Sequence, residues 1–249
     1  MKIAIVGASG AVGQEFLRIL EERPLPVDEL LLFGSERSAG QTYMFRGKPV
    51  TVKLLQQNDD FLGVDIALTS AGAGTSREFA ETITRHGTLM IDNSSAFRME
   101  PDVPLVVPEV NGRDALDAPR RIIANPNCTT IVTLVAINAL AKESPIETII
   151  ASSYQAVSGA GKGGIDELNN EVKALSEGKH LEPKVFQYQI AYNIIPQIGG
   201  EAFEGYTSEE MKMQNEGRKI LHLPEMKVSC TCARVPVIRS HSVSVVLRT

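Results

Sequence analysis

Cys128 lies in a sequence context that favours chemistry over packing. It follows the Asn-Pro-Asn turn of "ANPNCTT" (124–130) and precedes an apolar stretch of helical composition. Asn127 is a favourable N-cap, which places Cys128 at the first helical position. There the helix dipole lowers the pKa of a thiol, and free backbone N–H groups can stabilise an oxyanion. The pattern predicts a nucleophile; the alternative is a buried structural cysteine, which would more naturally lie inside the helix.

A nucleophilic cysteine needs a base within reach. The chain offers four histidines: His86, His180, His222 and His241. His86 ends a predicted helix, and His180 and His222 lie in polar or loop-like segments. His241 lies in "VIRSHSVSVVL", whose alternation predicts a strand with this histidine on the apolar face. His241 is the candidate partner of Cys128; the alternative is a hydrogen-bonded core histidine.

The N-terminal segment has the pattern of a dinucleotide-binding turn. Residues 2–6 form a β-branched apolar run, Gly7, Gly10 and Gly13 follow, and apolar residues then recur at helical spacing. These glycines would allow a tight turn, close approach of a pyrophosphate, and helix–strand packing. The helix start would offer N–H groups to phosphates. The spacing is GxxGxxG, and a glycine turn without a ligand is the alternative.

The end of the second predicted strand, "ELLLFGS", bears on the choice of cofactor. Glu36 could bind ribose hydroxyls, as an acidic residue does in many NAD enzymes. Ser35, Arg37 and Ser38 surround it, however, and the guanidinium of Arg37 suits a 2′-phosphate. We therefore expect NADP in preference to NAD. The alternative is a solvated loop of mixed charge.

Strands and helices alternate through the first half of the chain. Segments 64–70, 87–92 and 121–125 read as buried strands, and 76–87 reads as a helix. The fold class expected is α/β, with a Rossmann-like doubly wound parallel sheet. We expect an NADP-binding domain over 1–127 and a second, α+β catalytic and dimerisation domain over 128–249.

Composition narrows the function. The chain has 249 residues, 43% of them hydrophobic, and a net charge of −5, which disfavours a nucleic-acid partner. No secretory signal is visible, and the longest apolar stretch is shorter than a bilayer needs. Cys230 and Cys232 are two residues apart, a spacing that suits neither a zinc knuckle nor a redox pair, and we expect no metal. We expect a cytoplasmic protein without a membrane partner.

Six segments in one order resemble the aspartate-semialdehyde dehydrogenase family over the whole chain. They are "GASGAVG", "SAFR" (95–98), "NPNCTT", "SSYQAVSGAG" (152–161), "EEMKM" (209–213) and "ARVPVIRSHS" (233–242). The resemblance implies NADP-dependent reductive dephosphorylation of L-aspartyl 4-phosphate to L-aspartate 4-semialdehyde, which supplies lysine, diaminopimelate, methionine and threonine biosynthesis. It also implies a homodimer. The alternatives are an N-acetyl-glutamyl-phosphate reductase-like enzyme and a non-catalytic relative on the same fold.

The resemblance also implies roles for individual residues. In catalysis it implies a nucleophile, an acid/base and an orienting amide: Cys128, His241 and Gln155. In the mechanism expected from these roles, Asn127 aids the N–H groups of the helix start in holding the oxyanion. For the phosphate the resemblance implies Arg98 and Lys212, for the substrate amino group Glu209, and for the α-carboxylate Arg234. For the cofactor it implies Ser9, Gly10, Ala11, Val12, Arg37, Ser38, Ser158 and Gly159. The glycine turn adds Gly7 and Gly13, and the end of the second predicted strand adds Ser35.

The residue types suit this substrate independently of the resemblance. The substrate carries a phosphate, a carboxylate and an amino group. The cations Arg98, Lys212 and Arg234 and the anion Glu209 complement these charges. In "TSEEMKM", Thr207 and Glu210 form a possible capping box. Glu209 and Lys212 are three residues apart and would project from one helix face, where an ordinary surface ion pair is the alternative.

Two expectations concern the C-terminal part. The resemblance assigns Arg234 and His241 to one site, but they are seven residues apart, and one regular strand would place them on opposite faces. A bulge, turn or break must therefore intervene, and Pro236 marks its expected position. The chain stops at "SVSVVLRT", whereas family members continue with further sheet and a closing helix. We expect a shortened form that carries the site residues but is compromised in stability, cofactor affinity or turnover.

Overall fold

The computed structural model describes residues 1–249, which divide into two compact units, 1–126 and 127–249. The first unit is built on a seven-stranded sheet in the order β3-β4-β2-β1-β5-β6-β7. All neighbouring strands are parallel except the hairpin β3–β4. Its strands are β1 (Lys2–Val6), β2 (Glu29–Gly34), β3 (Thr42–Phe45), β4 (Lys48–Leu54), β5 (Ile66–Thr69), β6 (Leu89–Asp92) and β7 (Ile122–Ala124).

Three α-helices accompany this sheet: α1 (Ala11–Glu22), α2 (Ala73–Thr84) and the short α3 (Pro108–Asn111). The apolar face of α1, with Leu17 and Leu20, packs on Ile3, Ile5 and Leu32 of the two central strands. Burial of these side chains is the main driving force for this packing. The Rossmann-like parallel sheet expected from the strand–helix alternation is confirmed.

The structure corrects two details of the first unit. The β3–β4 hairpin was not expected; Arg46 and Gly47 at its turn both have positive φ (48° and 76°), as a two-residue hairpin turn requires. Helix α2 starts and ends three residues before the predicted 76–87. It begins directly after Gly72, whose φ of 90° cannot belong to a helix, and it leaves His86 outside.

The second unit combines three α-helices with a three-stranded sheet in the order β11-β8-β12 and a small hairpin, β9–β10. Strand β11 is parallel to β8, and β12 is antiparallel to it. The strands are β8 (Thr148–Gln155), β9 (Glu201–Phe203), β10 (Tyr206–Thr207), β11 (Lys227–Arg234) and β12 (Ser242–Arg248). The helices are α4 (Cys128–Glu143), α5 (Gly161–Ser176) and α6 (Ser208–Leu221).

The predicted break between Arg234 and His241 is confirmed, because β11 ends at Arg234 and β12 begins only at Ser242. The central strand β8 separates the two, with Arg234 beside Gln155 and Ser242 beside Tyr154. His241 therefore precedes the strand instead of lying within it, which corrects its expected position. The opposite directions of β11 and β12 bring Gln155, Arg234 and His241 to one end of this sheet. None of the helices is long and apolar enough to cross a membrane.

Candidate active site

Helix α4 begins at Cys128, as the N-cap pattern predicted. The side-chain Oδ1 of Asn127 accepts hydrogen bonds from the N–H groups of Thr129 and Thr130, at 2.9 and 3.3 Å. Asn127 thus satisfies two N–H donors that a helix start otherwise leaves unpaired. Cys128 Sγ lies 3.2 Å from Nε2 of His241, within the distance of a sulfur hydrogen bond. The helix start therefore presents the thiol directly to the imidazole.

The hydrogen bond at Nδ1 of His241 determines which atom is the donor in the contact between Nε2 and Cys128 Sγ. The backbone N–H of Ala156 donates to Nδ1 at 2.9 Å, so Nδ1 carries no proton. In the neutral ring the proton then lies on Nε2, which donates to Sγ. Burial and the charge of Arg234 lower the pKa of His241, although Glu209 opposes them. The lowered pKa favours the neutral imidazole, and the hydrogen bond from the Ala156 N–H leaves the proton of that neutral ring on Nε2.

The thiol of Cys128 behaves differently from the expectation based on the helix dipole. The residue is exposed in its unit. The protein atoms around the sulfur nevertheless remove enough water to raise the pKa of the thiol, and the charge of Glu209 raises it further. The hydrogen bonds at the helix start lower the pKa but do not outweigh these two causes. The predicted lowering of the thiol pKa is thus wrong: in the resting protein the thiol is held protonated.

Glu209 is the centre of a buried polar cluster close to the helix start. Its Oε2 accepts from Lys212 Nζ at 2.8 Å, and its Oε1 accepts from Asn127 Nδ2 at 2.8 Å and from Gln155 Nε2 at 3.1 Å. Burial pushes the pKa of Glu209 upward. The charge of Lys212 and the hydrogen bonds from all three partners together lower it below its ordinary value. The carboxylate is therefore ionised and fixed in place.

The same contacts describe the other predicted residues of this unit. Gln155 is 1% exposed and also donates to Thr129 Oγ1 at 2.9 Å, which ties β8 to α4. Asn127 is occupied as a cap through its amide oxygen and as a donor to Glu209 through Nδ2. Its predicted part in stabilising an oxyanion stays a prediction.

Arg234 provides a buried cation at the end of β11. Its Nη1 donates to the carbonyl oxygen of Ala156 at 2.7 Å, and its guanidinium lies 5.8 Å from the ring centroid of Phe186. Burial lowers its pKa, while the nearby charge of Glu209 raises it, and an arginine remains charged at any ordinary pH. The predicted residues Arg234, Glu209, Lys212, Gln155, Cys128 and His241 are thus connected through shared contacts within one unit.

Gly159 was expected to contact the cofactor, together with Ser158. Both lie in a 3₁₀ turn, residues 157–160, at the end of β8. A Cβ at position 159 would lie 2.6 Å from Nη1 of Arg234 and 3.4 Å from Cε1 of His241. A side chain at this position would therefore displace the guanidinium of Arg234 from its place.

Glu216 is a residue of this site that the sequence did not reveal. It lies on α6, is 2% exposed, and accepts the backbone N–H of Asn127 at 2.6 Å through Oε2. The signal available in the sequence was its spacing. Glu216 is two helical turns after Glu209, on the same face of α6.

The first unit contains a cleft of about 480 Å³ at the glycine turn. The predicted residues that line it are Gly7, Ser9, Gly10, Ser35, Arg37 and Ser38, and Glu36 lies there too. Gly7 has a φ of 87°, and Gly10 caps α1 without a side-chain hydrogen bond, so the first turn of α1 keeps its N–H groups available. These features fit a dinucleotide phosphate.

The remaining predicted cofactor residues, Ala11, Val12 and Gly13, form the first turn of α1. A Cβ at Gly13 would collide with the carbonyl oxygen of Gly7, so this glycine permits close packing of the helix on the turn. Arg98 also lies in the first unit. It is 8% exposed and donates through Nη2 to the carbonyl oxygen of Asn93 at 3.0 Å. Its phosphate-binding role stays a prediction.

A Rossmann-type unit followed by a unit with a cysteine–histidine pair has the two parts that a cysteine-dependent semialdehyde dehydrogenase requires. Two family descriptions match the chain: "Semialdehyde dehydrogenase, NAD binding domain" over residues 2–118 and "Semialdehyde dehydrogenase, dimerisation domain" over residues 137–249. Together they account for both units.

Individual relatives agree with this class. The aspartate-semialdehyde dehydrogenase of Aquifex aeolicus is 51% identical over 100% of this chain and 74% of its own length. A crystal structure of aspartate semialdehyde dehydrogenase II from Vibrio cholerae, complexed with ASA, has a TM-score of 0.96 and 47% identity, covering 99% of this chain and 73% of that one. An aspartate semialdehyde dehydrogenase from Candida albicans, solved with NADP, has a TM-score of 0.74 and 26% identity, covering 99% and 71%.

The chain belongs to the aspartate-semialdehyde dehydrogenase family. The resemblance stated from the six sequence segments is confirmed, and so is its consequence that the first unit is a nucleotide-binding domain of an oxidoreductase. The chain spans about three quarters of the length of the relatives compared.

Proposed function

We propose that this chain catalyses the reversible, NADP-dependent reductive dephosphorylation of L-aspartyl 4-phosphate to L-aspartate 4-semialdehyde. The observation that carries the proposal is the 3.2 Å contact between Cys128 Sγ and His241 Nε2, beside the charged cluster of Glu209, Lys212 and Arg234. Acyl transfer needs the cysteine as its thiolate, with an imidazole within hydrogen-bond reach of the sulfur. This substrate also needs charged partners for its amino group, carboxylate and phosphate.

The charges assign one substrate group to each partner. The anionic Glu209 binds the amino group, and Arg234 binds the α-carboxylate with two parallel hydrogen bonds. Lys212, which holds Glu209 at 2.8 Å in the resting protein, turns to the phosphate together with Arg98. Gln155 orients the reacting carbonyl from its position between Glu209 and Thr129.

The covalent steps centre on the sulfur of Cys128. The thiol loses its proton to solvent, and the thiolate accepts the Nε2–H of His241. The sulfur forms a bond to the acyl carbon, and the oxyanion is held by N–H groups at the start of α4. Collapse breaks the bond to phosphate, which leaves with the bonding electrons, and a thioester remains. After reduction, the thiohemiacetal oxyanion re-forms a carbonyl as the aldehyde, the C–S bond breaks with its electrons on sulfur, and Cys128 is again a thiolate beside His241 Nε2–H. The acid/base role implied for His241 stays a prediction.

The cleft of the first unit would hold the cofactor through the glycine turn and Arg37. When bound, the reduced nicotinamide supplies the hydride that converts the thioester into a thiohemiacetal. The preference for NADP rests on the guanidinium of Arg37 in the cleft, where it suits a 2′-phosphate, and on the NADP in the Candida albicans relative. Glu36 lines the same cleft and is the competing determinant.

A homodimer formed by the second unit belongs to the same proposal, since a dimerisation-domain family matches residues 137–249. One face of the sheet β11-β8-β12 leaves Ile150, Tyr154 and Val246 exposed at 53%, 45% and 63%. Ile150 and Val246 are directly paired across β8 and β12. The same face carries the hydroxyls of Ser152, Thr231 and Ser244, so it is mixed in polarity. A second copy would cover this face, and sedimentation analysis of the purified chain measures the dimer. All three cysteines are free, which supports a reducing, cytoplasmic location.

The activity test is the reverse reaction. Purified chain, L-aspartate 4-semialdehyde, phosphate and NADP should produce NADPH, and omission of phosphate should stop continuous turnover. Replacing the substrate with N-acetyl-glutamate semialdehyde tests the related reductase activity and should give no signal. No turnover with the aspartate substrate at any phosphate concentration would contradict the proposal and favour a non-catalytic relative.

Arg37→Ala tests the cofactor preference. The loss of a charge-assisted contact, of about 1.5–3 kcal/mol, should raise the Michaelis constant for NADP by about 10- to 150-fold. The constant for NAD should change by less than about threefold. Equal effects on both would instead make Glu36 the determinant.

A further inference from the structure

The start of α4 is held by a carboxylate that comes from another helix. In a capping box, a glutamate three residues after the N-cap accepts the backbone N–H of the N-cap residue. In α4 this position is Thr130, whose buried hydroxyl makes no hydrogen bond. Glu216 of α6 takes its place and accepts the N–H of Asn127 at 2.6 Å.

Two carboxylates of α6 hold Asn127 at once. Glu216 accepts its backbone N–H, and Glu209 accepts its side-chain Nδ2 at 2.8 Å. Asn127 in turn accepts the N–H groups of the first turn of α4 through Oδ1. The backbone and the side chain of Asn127 are therefore both fixed, and the next residue is Cys128.

The burial of Glu216 shows that this arrangement is costly to build. A carboxylate that is 2% exposed loses its hydration and needs hydrogen bonds in exchange. Asn127, at 7% exposed, would have a buried and unsatisfied N–H if Glu216 did not reach it. A shift of Asn127 to find another partner would change the distance from Cys128 Sγ to His241 Nε2.

We propose that Glu216 is a positioning residue of the active site, which completes the N-cap of α4 from α6 and so keeps the thiol of Cys128 against His241. It acts through Asn127 and by the reach of its oxygen to the N–H, not by its charge. The inference deepens the proposed function, but its test needs no substrate and so separates the two.

The experiment compares two substitutions that change the length and the charge of the Glu216 side chain separately. Glu216→Gln keeps the length and an accepting oxygen but removes the charge. Glu216→Asp keeps the charge but is shorter by one methylene. The readout is the rate of alkylation of Cys128 by iodoacetamide as a function of pH, with Cys128→Ser giving the background of Cys230 and Cys232. This rate follows the thiolate fraction, and so the hydrogen bond from His241.

The proposal expects Glu216→Gln to alkylate within about threefold of the parent at each pH. Glu216→Asp should be slower by about tenfold at neutral pH, with its midpoint moved to higher pH because the thiolate loses its donor. If Glu216→Asp does not fold by circular dichroism, Glu216→Met replaces it, since methionine has the length but no accepting oxygen, and the same slow rate is expected.

The matched control is Glu171→Gln. Glu171 is equally buried, at 2% exposed, and accepts the backbone N–H groups of Ile190 and Ala191. It should leave the alkylation profile unchanged. The proposal is overturned if Glu216→Asp alkylates like the parent, if Glu216→Gln is as slow as Glu216→Asp, or if both are faster. It is also overturned if Glu171→Gln slows the reaction as much as Glu216→Asp.

Discussion

The starts of helices α4 and α6 both have backbone N–H groups that need acceptors, but the acceptors come from different parts of the chain. At α6 the cap is local: Thr207 and Glu210, three residues apart, bind each other's backbone N–H groups. At α4 the cap is local only in part, because Asn127 binds the first turn while its own N–H is bound by Glu216 of α6. The box of α6 is complete within its own first turn, although Glu210 also accepts the N–H of Cys232. The start of α4, in contrast, depends on α6 being in place.

This difference determines the charge that each start presents. Helix α6 carries Glu209 and Glu210 in its first turn, where the positive end of the helix dipole favours them. Helix α4 has no acidic residue in its first turn and receives Glu209 and Glu216 from α6 instead. The start of α4 is thus bound by two carboxylates of α6, of which Glu209 contributes to the raised pKa of Cys128. Under the proposed function, α4 supplies the nucleophile, and α6 supplies the carboxylates that hold its start and two of the charged residues for the substrate, Glu209 and Lys212.

Asn127→Ala should break the α4 start most severely. It removes the acceptor for two N–H groups and the partner of Glu209, and an N-cap deletion costs about 1–2 kcal/mol of unfolding free energy. Because Cys128 adjoins the lost cap, kcat should fall by about 10- to 100-fold. Steady-state kinetics and urea unfolding measure the two effects. A normal kcat at the reduced stability would show that the cap does not position the thiol.

Thr207→Ala is the equivalent change at the α6 start. It should cost about 1 kcal/mol of unfolding free energy, since it removes the same kind of cap. The Michaelis constant for the semialdehyde should rise several-fold because Glu209 and Lys212 lie on the loosened turn, with kcat within about threefold of the parent. If kcat fell as much as in Asn127→Ala, the caps of α4 and α6 would affect catalysis alike, which would contradict the different roles inferred for the two helix starts.

The smallest expected effect concerns acid stability at Glu209. Its folded pKa is lowered, so its contribution to stability is present above the unfolded value, about 4.3, and is lost as pH falls through the folded pKa. Between pH 7 and pH 3, the melting temperature should fall by less in Glu209→Gln than in the parent. The exposed Glu182→Gln serves as control and should follow the parent. An identical loss in Glu209→Gln would mean that Lys212 does not stabilise the carboxylate.

The local part of this comparison could be predicted from the sequence. The capping box of Thr207 and Glu210, the N-cap at Asn127 and the helix start at Cys128 depend only on neighbouring residues, and all three were found. The glycine turn and the buried strands of the first unit depend on periodicity and were found in the same way. The break before His241 followed from strand geometry.

The non-local part could not be predicted. Glu216 was missed because its partner is 89 residues away in the chain. The contact of the Ala156 N–H with Nδ1 of His241, which sets the tautomer, depends on how β8 and β12 pair. The direction of the Cys128 pKa shift was wrong for the same reason: the helix dipole is local, but the desolvation and the charge of Glu209 that outweigh it come from elsewhere in the unit.

The central claim is that Cys128 carries the acyl group, and a single-turnover experiment without phosphate tests it most directly. The chain is mixed with L-aspartate 4-semialdehyde and NADP, and NADPH is followed while the protein is analysed by mass spectrometry. We predict a burst of about one NADPH per chain and a hydroxylamine-sensitive aspartyl adduct that maps to Cys128, with both absent in Cys128→Ser. A burst that persists in Cys128→Ser, or an adduct on another residue, would contradict the account.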